Sequence, residues 1–191
     1  MSKELELFIF KDEKSVFQCP IFRVNEKIAV TKNKEHELKV YTLTCSNWVN
    51  IVPVTSTGEI ILVEQHRFGT NSFILEVPGG AVNRDEKDAT LAAIRELEEE
   101  TGLTSKRILA LAGYYPNPAI QNNRVTNFIA FDVHPVEKKP EHDDPFEEIK
   151  VHLVPIKEVM QMVRTGQISH ALSALALLVA EPYLSQKFPH L

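Results

Sequence analysis

RELEEETGL, residues 95–103, reads as an acidic helix end closed by a glycine, and its spacing decides how the surrounding chain folds. At about 3.6 residues per turn, Glu96, Glu99 and Glu100 fall within about one quarter of the helix circumference, so their carboxylates converge on one side. They crowd the last turn before Gly102, where the helix dipole already presents partial negative charge. Each acid there costs roughly a few tenths of a kcal/mol, and mutual repulsion adds to that. Arg95 can pair with Glu99 four residues on, but one guanidinium cannot neutralise three acids. The stripe therefore calls for a cation, and an all-carboxylate donor set suits a hard divalent ion, Mg2+ or Mn2+.

Upstream, the apolar run FILEV (Phe73 to Val77) leads into PGGAV (Pro78 to Val82), which predicts a strand ending in a glycine turn. A polar loop follows, and the acidic helix is expected to start near Asp88, which can cap it. A glycine pair, an acidic loop and then REL.EE.GL resemble the Nudix box. The usual form of that box is Gly, five residues, Glu, seven residues, then Arg-Glu-apolar-any-Glu-Glu-any-Gly-apolar. Arg95 to Leu103 match its second half at every specified position. In the first half, the family's glutamate falls on Lys87 and its glycine on Ala81, so Glu86 and Gly80 are each displaced by one. A one-residue insertion in the loop accounts for both.

The resemblance extends to the branch of Nudix hydrolases that cleaves ADP-ribose and related nucleoside diphosphate sugars. That branch has a small N-terminal sheet domain used in dimerisation, a segment like EQHR before the box, a late acidic loop and a closing helix pair, and this chain shows all four. The resemblance implies an α+β fold, the Nudix α/β/α sandwich around a mixed sheet, with a small N-terminal β-sheet subdomain over 1–45 and the Nudix hydrolase domain over 46–191. It implies Glu96 and Glu100 as direct metal ligands, Glu99 as ligand or bridge, and the carbonyl of Gly79 completing the shell. Catalytic roles fall to Glu147, Arg95 and Glu99, with Asp144 and Glu148 as near alternatives to Glu147 for the base in HDDPFEEIKVHLV.

Arg67, in EQHRFG, matches a family arginine that contacts polar parts of the substrate, although an edge-strand arginine in an ion pair reads the same way. In YYPNPAIQNNRVT, residues 114–126, Gln121, Asn123 and Arg124 bring amide and guanidinium donors to one loop, with Arg124 the stronger candidate for a phosphate or sugar. Turn formation alone explains Asn122 and Asn123 equally well. This loop departs from the glycine-rich one usual in ADP-ribose pyrophosphatases. Trp48 can stack on a nucleobase, though a large aromatic at a strand start is more often core. His170, at the start of an apolar helix, reads as a satisfied structural histidine.

The remaining pattern supports this architecture. LFIF, SVFQCPIFRV and KVYTLT, within residues 6–45, read as strands too few to make their own core. VNIVPV, a turn at 56–59 and IILVEQ predict a hairpin, with later strands near Ile108 to Tyr114, Val125 to Val133 and Ile149 to Val154. Pro155 opens a helix ended by Gly166, and Ser169 is expected to cap the last one. A net charge of −5 with 43% apolar residues excludes a strongly basic nucleic-acid binder. MSKELELF is too short and charged for a signal peptide, and no apolar run approaches the ~18 residues that span a bilayer. Cys19 and Cys45 lack metal spacing and fit free thiols in a reducing compartment, so the cytoplasm is expected.

The expected activity is metal-dependent hydrolysis of a nucleoside diphosphate sugar of the ADP-ribose type to a nucleoside monophosphate and a sugar phosphate. The partners are a small nucleotide-sugar substrate and a second copy of the chain, a homodimer through the N-terminal subdomain, with no nucleic acid and no membrane. The alternatives are a Nudix-fold ligand sensor with impaired catalysis, or an enzyme acting on dinucleoside polyphosphates or nucleoside triphosphates.

Overall fold

The computed structural model describes residues 7–86, 88–138 and 148–190. In chain order it has β1 (Ile9–Gln18), β2 (Phe22–Val30), β3 (Glu37–Cys45), β4 (Trp48–Val54), β5 (Glu59–Arg67), β6 (Ser72–Glu76), β7 (Gly79–Ala81) and α1 (Ala89–Thr101). There follow β8 (Leu103–Thr104), β9 (Arg107–Tyr114), β10 (Val125–Phe131), β11 (His134–Pro135), β12 (Ile149–Pro155), α2 (Ile156–Thr165) and α3 (Ala171–Lys187). None of these helices is long and apolar enough to cross a membrane.

The chain divides into two compact units, Met1–Ser46 with Tyr115–Arg124, and Asn47–Tyr114 with Val125–Leu191. The division departs from a simple cut at 45/46, because residues 115–124 group with the first unit. They do so by backbone pairing to β3: the Leu43 N–H donates to the Ile120 carbonyl at 2.6 Å and the Asn122 N–H to the Leu43 carbonyl at 3.4 Å. No local periodicity announces such a pairing. In the first unit β1, β2 and β3 form an antiparallel sheet in that order. SVFQCPIFRV is two strands with a break at Cys19–Ile21, where the Cys19 N–H donates to the Phe22 carbonyl. Every residue of β1 is exposed.

The second unit is built on a seven-stranded sheet in the order β12-β5-β4-β10-β9, with β6 added to β5 and β7 to β4. The sheet is mixed, because β4 and β10 run parallel while the other pairs are antiparallel. Alternation along the central strands divides the core between the two faces. Val49, Ile51, Phe128 and Ala130 pack with Ala92, Ala93 and Leu97 of α1. Val52, Val54 and Ile129 pack on the other face with Val159 and Met160 of α2 and Ala176, Leu177 and Leu184 of α3. This is the helix–sheet–helix sandwich that the sequence implied.

The expected β4–β5 hairpin is paired only next to its turn, at Val54↔Ile60. Pro53, which has no N–H to give, lies where the two strands part. Beyond it β4 takes β7 instead, in the register Trp48↔Ala81, Val49↔Gly80 and Asn50↔Gly79. The glycine pair is thus not a turn, and it lies in extended strand. The last helix also starts differently from expectation, since its N-cap residue is His170, not Ser169, and no side chain caps it.

Candidate active site

Helix α1 is set by both ends. The Asp88 side chain accepts the Thr90 N–H at 2.8 Å, and Gly102, at φ 71°, donates its N–H to the Glu98 carbonyl. Between them Ala92, Ala93, Leu97 and Glu100 form the buried face, while the last turn holds no basic residue. Glu100 is only 4% exposed, so the acidic stripe is not a solvated surface.

The strand β7 lies against that stripe. The Gly79 N–H donates to Glu100 Oε2 at 3.0 Å. A Cβ on Gly79 would meet the Val49 carbonyl oxygen at 2.2 Å, and one on Gly80 would meet Glu96 Oε1 at 2.3 Å. The two glycines therefore serve close approach, the first to the neighbouring strand and the second to a carboxylate. Gly80 thus approaches Glu96, and Glu86 accepts a hydrogen bond from Arg95.

Arg95 holds the acids together. Its Nη1 donates to Glu96 Oε1 and to Glu99 Oε2, both at 2.9 Å, and its Nε donates to Glu86 Oε1 at 2.9 Å. Its Nη2 also reaches the Ala81 carbonyl at 3.0 Å. Glu86 accepts the Asn83 N–H at 2.7 Å as well, and the Arg95 guanidinium holds its carboxyl below the usual range. Glu86 is thus the partner that fixes Arg95, and Lys87, on the family's first-glutamate position, lies outside the described residues.

Among the described residues no three His, Cys, Asp or Glu groups are already gathered as a ligand set, and one Arg95 nitrogen bonds both Glu96 and Glu99. The donors nevertheless fit a hard divalent cation. They are all oxygen, they are largely screened from water, and Gly80 leaves the space that Glu96 occupies.

A second polar cluster lies immediately before the glycines. Arg67, on β5, grips Glu76 with Nε to Oε1 and Nη2 to Oε2, both at 2.7 Å. Glu76 is 2% exposed; burial alone would push its carboxyl up, but hydrogen bonds from Arg67 and His170 bring it down to about 2. His170 Nδ1 lies 2.8 Å from Glu76 Oε2 and 2.9 Å from Ser173 Oγ, and that hydroxyl oxygen accepts the Val77 N–H at 3.1 Å. Sequence reasoning missed Glu76 and Ser173. An acid inside the apolar strand FILEV was the available signal, because a buried carboxylate demands partners.

The other expected residues are placed as follows. Trp48 opens β4, half-buried, opposite Ala81 and Val125. Gln121, Asn123 and Arg124 belong to the first unit. There Gln121 bridges to Leu43, Arg124 lies over the Tyr115 ring at 4.9 Å, and Asn123 is buried with neither amide atom hydrogen-bonded among the described residues. Glu147 and Asp144 lie outside the described residues, whereas Glu148 is exposed just before β12.

A NUDIX domain profile matches residues 47–173. An ADP-ribose pyrophosphatase of Bacillus subtilis (strain 168) is 32% identical over 129 residues, which is 68% of this chain and 69% of that protein. A methanol dehydrogenase activator of Bacillus methanolicus is 25% identical over the same shares. An ADP-ribose pyrophosphatase of Haemophilus influenzae is 30% identical over 62% of this chain and 58% of the relative. A crystal structure described as an ADP compounds hydrolase superposes with a TM-score of 0.86 at 23% identity, covering 97% of this chain and 98% of the other, and shows the fold.

Proposed function

The chain belongs to the NUDIX domain family, a hydrolase resembling ADP-ribose pyrophosphatases, and from that premise we propose that it hydrolyses the pyrophosphate bond of a nucleoside diphosphate sugar of the ADP-ribose type. Water adds to one phosphorus as the bridging P–O bond breaks, leaving a nucleoside monophosphate and a sugar phosphate. The observation that carries the reading is the bond from the Gly79 N–H to Glu100 Oε2, which sets the glycine strand directly against the acidic stripe.

Glu96, Glu99 and Glu100, with the Gly79 carbonyl, would hold Mg2+ or Mn2+. Such an ion supplies charge neutralisation for the pyrophosphate and a lowered pKa for bound water. Arg95, anchored by Glu86, donates one nitrogen to both the Glu96 and Glu99 carboxylates and so ties them together. Arg67 is held rigidly enough by Glu76 to orient a polar group of the substrate. Gln121, Asn123, Arg124 and Trp48 are proposed as further substrate contacts, and Glu147 as the base that takes a proton from water. The domain plan, with a β subdomain over 1–45 and a hydrolase domain over 46–191, belongs to the same proposal, as does a homodimer through the first unit. Its sheet leaves Phe10, Phe17 and Leu38 more than half exposed, which favours a protein partner there. A cytoplasmic location fits two free cysteines.

The test is incubation with ADP-ribose, GDP-mannose and diadenosine polyphosphates in Mg2+ or Mn2+, with products separated by chromatography. AMP and ribose phosphate from ADP-ribose are expected. Retained binding with no hydrolysis of any compound would overturn the enzymatic reading.

A further inference from the structure

His170 occupies the N-cap of a 17-residue helix, where Ser, Asp or Asn would ordinarily bond the first free N–H groups, yet its side chain makes no cap bond. Its Nδ1 turns instead to Glu76 Oε2 at 2.8 Å and Ser173 Oγ at 2.9 Å. Glu76, held at about 2, is ionised at neutral pH and can only accept, so Nδ1 carries the hydrogen that lies between them. Two partners of the strand end, Glu76 and Ser173, meet on this histidine. Glu76 is the last residue of β6 and grips Arg67. Val77 is bonded through Ser173. Pro78 then leads into the glycine strand, whose Gly79 N–H holds Glu100.

We propose that His170 is a positioning residue for the hydrolysis: it fixes the Glu76 carboxylate in the orientation that presents Arg67 to substrate. The inference rests on the functional reading above for the role of Arg67. A hydrogen bond to a charged carboxylate is among the stronger ones and is enough to set one side-chain orientation. The imidazole is about one-third exposed, so truncating it removes little packing. Asn at this position places an amide Nδ where Nδ1 now stands and keeps the donor.

His170→Ala is expected to raise KM for ADP-ribose about tenfold with kcat within twofold, and His170→Asn is expected to recover most of that loss. In an Arg67→Lys background, His170→Ala should add nothing further, because the bidentate grip it supports is already gone. A normal KM in an active His170→Ala enzyme overturns the proposal, and so does a full tenfold effect in the Arg67→Lys background. Hydrogen exchange of the Arg67 Nε–H, read by NMR on the full chain, is independent of catalysis. It should speed up at least tenfold in His170→Ala and return in His170→Asn, and an unchanged rate in His170→Ala also overturns the proposal. Wild-type protein that cannot hydrolyse ADP-ribose would sink the functional reading instead, while the exchange measurement still decides this one.

Discussion

Two clusters on consecutive pieces of chain combine carboxylates with an arginine, and they do opposite things with the charge. At Glu76 one acid receives two bonds from Arg67 and one from His170, and the carboxylate is 2% exposed. At α1 one guanidinium, that of Arg95, is divided among Glu86, Glu96 and Glu99. The first arrangement saturates a buried charge and fixes geometry. The second gathers acids that share one cation, an arrangement that a divalent ion can complete. The same residue types are a structural clamp in one place and the proposed ligand set in the other, and the ratio of acids to donors makes the difference.

The strongest way to break this contrast is Glu100→Gln. It keeps the shape while weakening a proposed ligand, so kcat for ADP-ribose should fall roughly 1000-fold with an unchanged circular dichroism spectrum; near-normal turnover would dissolve the metal-site half of the comparison. The clamp is sharpened by acid. Glu76 is depressed from 4.5 to about 2, so its stabilisation is complete above pH 4.5 and is lost as pH falls toward 2. At ~1.4 kcal/mol per pH unit this is on the order of 3 kcal/mol, visible as a falling urea midpoint that Glu76→Gln should flatten.

Gly80→Ala separates site from scaffold. Its Cβ would meet the flexible end of Glu96, so stability should change by less than about 1 kcal/mol while hydrolysis drops about 100-fold. Gly79→Ala meets the Val49 backbone instead and should cost about 2 kcal/mol in denaturant unfolding. The smallest expected effect is Arg95→Lys, which keeps the charge but cannot bridge three carboxylates. A tenfold or so rise in the Mg2+ concentration needed for half-maximal activity would be consistent, and no change would show that the bridging is incidental.

Much of the second unit was legible because its signals are local. Asp88 and Gly102 bound α1 as their side chain and φ preference require, and the alternation of β4 assigns its faces. The reading failed where a pairing partner was distant. GG read as a turn because glycines usually mark one, but at 79 and 80 they are needed by β4 and Glu96. Residues 114–126 gave no local sign that 115–124 would be attached to the first unit by backbone bonds to Leu43. Ser169 looked like a cap, and His170 holds that position while bonding Glu76.

By itself the sequence determined that three acids share one helix face, that a glycine ends the helix and that an arginine lies within reach, because helical periodicity and capping act over a few residues. Only the tertiary structure decided which groups those acids meet. The Gly79 N–H on Glu100, Glu86 on Arg95, and His170 on the carboxylate that grips Arg67 all follow from strand register and helix packing, which join residues far apart in the chain.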